Sequence, residues 1–128
     1  GTLSGNPAAV AAGRATLKLL DDAVYERLEH LGARLAKGLD EAATKAGLPH
    51  CVQQVGSMVT LFFSEGPITD FASSAATNTE HFNKFHRGLL ERGFYWPPSK
   101  FEAAFLSTAL TDDDIDATVK AAEEALAS

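Results

Sequence analysis

The chain has 128 residues and a net charge of −6, with a pI near 5.1. That is long enough for one domain that buries roughly two thirds of its unfolded surface. It lacks the clustered Lys and Arg that a nucleic acid or an anionic membrane would require, and no apolar run approaches the ~18 residues of a membrane span.

Hydrophobic residues make up 45% of the chain and are spread along its length, as in a globular protein. Cys51 is the single cysteine, which excludes an internal disulfide. It reads as a buried, inert thiol in a reducing, cytoplasmic setting. The chain opens on Gly1 with no initiator methionine, and its one Met is Met58. This reads as the middle of a longer protein.

Gly1-Thr2-Leu3-Ser4-Gly5 forms a loop, and Asn6-Pro7 is a helix start with an N-capping side chain and a proline that needs no partner for an amide hydrogen. The following helix is dense in small residues (Ala8, Ala9, Ala11, Ala12, Gly13, Ala15), a surface suited to close helix packing or to a subunit interface. Asp21 or Asp22 caps a longer second helix. Its apolar stripe runs through Val24, Leu28, Leu31, Leu35, Leu39 and Ala42, and it stops at Gly47-Leu48-Pro49. Glu26, Arg27, Glu29, Arg34, Lys37 and Glu41 lie off that stripe and read as a solvated face.

Val52 to Val55 and Met58 to Phe63 are rich in β-branched and aromatic residues, split by Gly56-Ser57 at a bulge or bend. Residues 69–78 show little periodicity and read as a mobile surface loop. Thr77 and Glu80 have the spacing of a capping box for a helix through Phe82, Phe85, Leu89 and Leu90, stopped at Gly93. Phe94-Tyr95-Trp96 reads as a short extended piece and Phe101 to Thr108 as a strand. Thr111 to Asp114 opens a last helix along Ile115, Val119, Ala122 and Leu126. The order α-α-β-α-β-α implies an α+β domain, a small antiparallel or mixed sheet with helices packed on one face.

No self-sufficient active site is evident. His30, His50, His81 and His86 lack metal-ligand spacing and read as surface or packing residues, so no metal site is expected. There is no Walker loop, dinucleotide fingerprint or Gly-x-Ser-x-Gly elbow. Two places stand out. In Gly1 to Pro7, backbone amides, the Thr2 and Ser4 hydroxyls and a helix N-terminus suit an anion such as phosphate, although ordinary capped turns look the same. In Pro97 to Ala103, the expected strand sets Glu102 on one face with Ala104, Leu106 and Thr108. Such a carboxylate is either at an edge in water or in a pocket facing an amine or hydroxyl supplied from outside the domain.

These same segments carry a family resemblance. Gly1-Thr2-Leu3-Ser4-Gly5-Asn6-Pro7, Val55-Gly56-Ser57-Met58-Val59-Thr60-Leu61-Phe62-Phe63, Glu91-Arg92-Gly93-Phe94-Tyr95 and Pro98-Ser99-Lys100-Phe101-Glu102-Ala103 resemble the C-terminal domain of glutamate-1-semialdehyde 2,1-aminomutases. These are fold-type I pyridoxal-phosphate enzymes related to class III aminotransferases. The resemblance covers nearly the whole chain apart from residues 69–78. It implies a homodimeric cytoplasmic enzyme of tetrapyrrole biosynthesis that turns an amino-aldehyde, glutamate-1-semialdehyde, into 5-aminolevulinate, with pyridoxal 5'-phosphate as electron sink.

The resemblance further implies that residues 1–128 form the small domain, that residues 1–20 are its interdomain and dimer-interface segment, and that the large cofactor-binding domain lies elsewhere. Gly1 and Thr2 match the pair that reaches the cofactor phosphate of the partner subunit, and Glu102 matches a glutamate that holds a substrate amino group. The Schiff-base lysine has no counterpart here: Lys18, Lys37, Lys45, Lys84 and Lys100 match no such motif, so no catalytic residue is expected in this chain. Ala109-Leu110 departs from the Ala-His of many relatives and Trp96-Pro97 from their Leu-Ala. Another class III aminotransferase and a stand-alone interaction module are the alternative readings.

Overall fold

A computed structural model describes residues 1–127. The elements are α1 (Pro7–Leu19), α2 (Asp22–Lys45), β1 (Cys51–Val55), β2 (Met58–Phe62), α3 (Phe71–Ala75), α4 (Thr79–Glu91), β3 (Ala104–Phe105) and α5 (Asp112–Leu126). The three strands form one antiparallel sheet in the order β1-β2-β3, an α+β fold as the element order implied.

Gly56-Ser57 is the two-residue turn of a hairpin, since Val55 pairs directly with Met58. The register sets Val52 opposite Leu61 and Gln54 opposite Val59 on one face. That face lies under α2, and Val59 and Leu61 are buried. The other face carries the apolar row Val55, Met58 and Phe105, all exposed. Alternation with period two therefore separates a covered face from an open one.

The α2 stripe builds the core: Leu31, Leu35, Leu39, Ala42 and Ala43 are buried, while Val24 and Leu28 are half-buried. Phe82, Phe85 and Leu89 join them from α4, and Ile115, Ala121, Ala122 and Ala125 from α5. Leu90 points outward instead. Two glycines let α2 come close to its neighbours. A Cβ on Gly32 would strike the Gly56 carbonyl oxygen of the hairpin turn, and one on Gly38 would strike Val119 of α5.

Several expectations for polar residues and for one loop change. Arg27 and Arg34 do not simply face water: Arg27 Nη1 donates to Asp112 at 2.5 Å, and Arg34 grips Asp116 through Nε and Nη2 at 2.7 and 2.6 Å. His30 Nε2 sits 2.9 Å from the second Asp112 oxygen. The N-cap of α4 is Asn78, which accepts from the His81 amide at 2.9 Å, while the Thr77 hydroxyl donates to the Ser74 carbonyl at 2.8 Å. Residues 69–78 are not a free loop. They hold α3, with a reciprocal Asp70–Ser73 capping box, and are anchored at both ends: Gln53 Nε2 of β1 donates to the carbonyl of the preceding Ile68 (2.6 Å), and the Asn78 amide to the carbonyl of Phe63, just after β2 (2.9 Å).

The expected strand Phe101 to Thr108 shrinks to Ala104–Phe105, because a turn closed by the Glu102 amide on the Ser99 carbonyl (3.0 Å) precedes it. Phe94-Tyr95-Trp96 is irregular, and Cys51 is half-buried on β1. No helix of the described residues is long and apolar enough to cross a membrane.

The close approach at Gly32 is testable. Gly32→Ala should destabilise the fold by about 1–3 kcal/mol in denaturant unfolding, despite alanine's better helix propensity. An unchanged midpoint would contradict the packing. The α2–α5 ion pairs carry a pH signature. Hydrogen bonds from His30 and Arg27 hold the Asp112 carboxyl below its ordinary range, and Arg34 does the same for Asp116. A carboxyl depressed in the folded state adds stability above its unfolded pKa and loses it as the pH falls through the folded value. Asp112→Asn should therefore be less stable than the parent at neutral pH and converge with it in acid. Parallel stability curves down to low pH would contradict the assignment.

Candidate functional site

The Gly1–Asn6 segment is a pair of linked turns, with the Ser4 amide on the Gly1 carbonyl and the Asn6 amide on the Leu3 carbonyl, both at 3.0 Å. Asn6 Oδ1 accepts from the amides of Ala8 (3.0 Å) and Ala9 (3.3 Å). Pro7 has no amide hydrogen, so the first turn of α1 is already satisfied and is not the free anion cradle its sequence suggested. The available donors are in the loop before it. The Thr2 amide and hydroxyl and the Leu3 and Gly5 amides have no partner among the described residues and face solvent. The first acidic residue of the chain is Asp21, at the far end of α1. This donor set, amides and a hydroxyl in a stretch of sequence without a carboxylate, fits one side of a phosphate.

α1 buries none of its residues: Val10, Leu17 and Leu19 are all exposed, as is Leu3 in the loop before it. A helix with this much uncovered apolar surface is suited to another surface.

Glu102 lies in the Ser99–Glu102 turn, exposed, with no side-chain partner among the described residues. It is therefore not in the apolar strand row predicted for it. Its neighbour Lys100 is tied down: Nζ donates to the carbonyls of Ala75 and Thr77, both at 2.8 Å, and lies 5.3 Å from the Phe101 ring centre. Phe101 stacks on Phe71 of α3 at 5.6 Å. Sequence reasoning missed this arrangement, and only the Asp70–Ser73 capping spacing was there to signal α3.

A cleft of about 590 Å³ opens beside this turn, between residues 93–97 and 103–106 and the start of α5. Trp96, Pro97 and Leu110 all line it. Trp96 is buried at its base, edge-on to Phe85 at 5.5 Å. No hydrogen bond or ion pair among the described residues joins the Gly1–Asn6 loop to the Glu102 turn, and those residues contain no cluster of metal-ligating side chains.

Comparison with known proteins identifies the frame to which these two places belong. The chain is 57% identical over 128 residues to a glutamate-1-semialdehyde 2,1-aminomutase of Thermus thermophilus, covering 98% of this chain and 30% of that protein. The same enzyme of Sorangium cellulosum is also 57% identical, over 100% of the chain and 29% of its own length. The chain matches the C-terminal part of these aminomutases. It spans about 30% of the length of the curated relatives it matches. No family model matches it. The crystal structure of a glutamate-1-semialdehyde-aminomutase from Pseudomonas aeruginosa PAO1 superposes with a TM-score of 0.85 and 25% identity, over 98% of the chain and 28% of that structure. The five helices and small antiparallel sheet thus match the C-terminal fold of these enzymes.

Four of the lysines have partners within the domain. Lys37, Lys45 and Lys84 pair with Glu41, Glu123 and Glu80, and Lys100 with carbonyls. If the Thr2 donors serve a site completed elsewhere, Thr2→Ala should leave the unfolding midpoint of this chain unchanged, since its hydroxyl has no partner among the described residues. A clear loss of stability would show a structural role instead.

Proposed function

We propose that residues 1–128 form the C-terminal small domain of a pyridoxal-phosphate-dependent aminomutase that isomerises glutamate-1-semialdehyde to 5-aminolevulinate. The observation that carries this reading is the 57% identity with aminomutases across the whole chain. It is supported by a fold in which the loop and helix matching the family's interface segment stand uncovered. The enzyme would be a cytoplasmic homodimer, with residues 1–20 at the interdomain and dimer interface.

In this reading Gly1 and Thr2 hold the phosphate of pyridoxal 5'-phosphate bound in the partner subunit. The unpaired Thr2 amide and hydroxyl are the right donors, and the nearest acid in the sequence is Asp21. The cofactor, when bound, supplies an electron sink for moving an amino group between neighbouring carbons. Glu102 has a different task. A carboxylate oxygen accepts charge-assisted hydrogen bonds from an ammonium group, so Glu102 orients the substrate amine while the large domain does the chemistry. Its exposure in this chain leaves the carboxylate free for that contact.

A second reading has one observation in its favour. Trp96, Pro97 and Leu110, the residues that depart from the usual motif, all border the same cleft. A reshaped cleft suits a class III aminotransferase with another substrate. Assay of the full-length protein separates the two. Formation of 5-aminolevulinate from the semialdehyde without an added 2-oxo acid supports the aminomutase, and amino transfer that requires a 2-oxo acid supports the alternative. A stand-alone module is disfavoured by the exposed Leu3, Val10, Leu17 and Leu19.

Glu102→Gln in the full-length enzyme should lower turnover by about tenfold or more, with the unfolding midpoint unchanged. An unchanged rate would remove Glu102 from the site. The 128-residue chain alone should bind pyridoxal phosphate without defined stoichiometry and show no turnover. A specific one-to-one complex would overturn the assignment of the cofactor centre to the large domain.

A further inference from the structure

We propose that Lys100 is a positioning residue for Glu102. The inference rests on the reading in which Glu102 holds the substrate amine. A lysine on a surface turn ordinarily keeps its ammonium group in water at the end of a flexible stem. Lys100 instead spends two of its three N–H donors on main-chain carbonyls, Ala75 and Thr77, each at 2.8 Å. Ala75 is the last residue of α3, so its carbonyl lies at the negative end of that helix, and Thr77 is only 5% exposed. The charged head also lies 5.3 Å from the centre of the Phe101 ring, and that ring stacks on Phe71 with 20° between the planes.

These contacts bracket Glu102 on its N-terminal side, and the sheet brackets it on the other. Ala104 pairs with Val59, and the Leu106 amide donates to the Ser57 carbonyl at 2.9 Å. The α3 segment that receives Lys100 is itself tied to β1 by Gln53 and to the end of β2 by Asn78. A continuous set of hydrogen bonds therefore runs from the sheet through residues 68–78 to the Ser99–Glu102 turn. The fold gains little buried apolar surface from this, since Phe71 is 76% and Phe101 53% exposed. What the contacts achieve is to order an exposed turn bearing a single unpaired carboxylate. Such ordering matters where a substrate group must be met in one geometry.

The test uses the full-length enzyme with Lys100→Met, Lys100→Arg, Glu102→Gln and the Lys100→Met/Glu102→Gln double variant. Lys100→Met should reduce kcat/KM for glutamate-1-semialdehyde about threefold to tenfold with little change in the unfolding midpoint, and Lys100→Arg should recover most of that loss. In the Glu102→Gln background the Lys100 change should have almost no further effect. Hydrogen exchange of the 99–103 amides should quicken in Lys100→Met and not in Lys100→Arg. Should Lys100→Met fail to fold, Phe71→Ala loosens the same turn from its other tether and should show the same dependence on Glu102.

An equal loss in both backgrounds, or no loss at all, overturns the positioning role while leaving Glu102 in the site. A Glu102→Gln enzyme of undiminished turnover instead overturns the parent reading, and the Lys100 proposal falls with it.

Discussion

The close seating of α2 against its neighbours is the constraint from which the rest of the domain follows. Gly32 admits the hairpin turn and Gly38 admits α5, so both the sheet and the last helix reach α2 without a Cβ between them. Leu31, Leu35 and Leu39 fill the space that remains, each at 0–1% exposure. Burying each such leucine contributes about 1.5–3 kcal/mol. The ion pairs of Arg27 and Arg34 with α5 are partly exposed, and solvent screening leaves such pairs a much smaller contribution. Packing therefore supplies the stability. The ion pairs set the register of α5 on α2, because Asp112 and Asp116 lie one helical turn apart: Arg27 meets Asp112, and Arg34 grips Asp116 and reaches Asp112 at 3.7 Å.

The same arrangement decides what is left open. With α2 on one face of the sheet, the row Val55, Met58 and Phe105 remains on the other, and α1 leads away with none of its residues buried. The two candidate contacts lie on these open parts, as expected of a portion spanning about 30% of its relatives' length. Thr2 offers hydrogen-bond donors and Glu102 an acceptor, and neither has found a partner among the described residues.

Much of the framework was legible in the sequence because its signals are local. Asn6-Pro7 caps α1, Asp21 caps α2 and Thr111 with Asp114 caps α5, each through a side chain within three residues of the amide it serves. The α2 stripe was likewise carried by short-range periodicity, and the first two strands by their β-branched and aromatic composition, although Gly56-Ser57 is a hairpin turn and not a bulge. What escaped was non-local or aperiodic. Arg27 and Arg34 look solvent-facing until α5, more than 80 residues later, brings its aspartates beside them. The α3 helix is five residues long, too short for a period to show. β3 shrank to two residues because the Ser99–Glu102 turn occupies the start of the expected strand, and that turn moved Glu102 out of the apolar row predicted for it. The two candidate segments drew notice through loop chemistry and a lone carboxylate, but their roles were legible only through motif resemblance, since no pattern within one domain marks half of a site.

The central claim is that this chain completes an aminomutase from outside its cofactor-bearing domain. Grafting it in place of the matching C-terminal part of the Thermus thermophilus aminomutase tests that most directly, with 5-aminolevulinate formation from glutamate-1-semialdehyde as the readout. A folded chimaera that forms 5-aminolevulinate without an added amino donor or 2-oxo acid is the predicted result. A folded, cofactor-loaded chimaera that forms none, or that only transfers its amino group to a 2-oxo acid, would contradict the account.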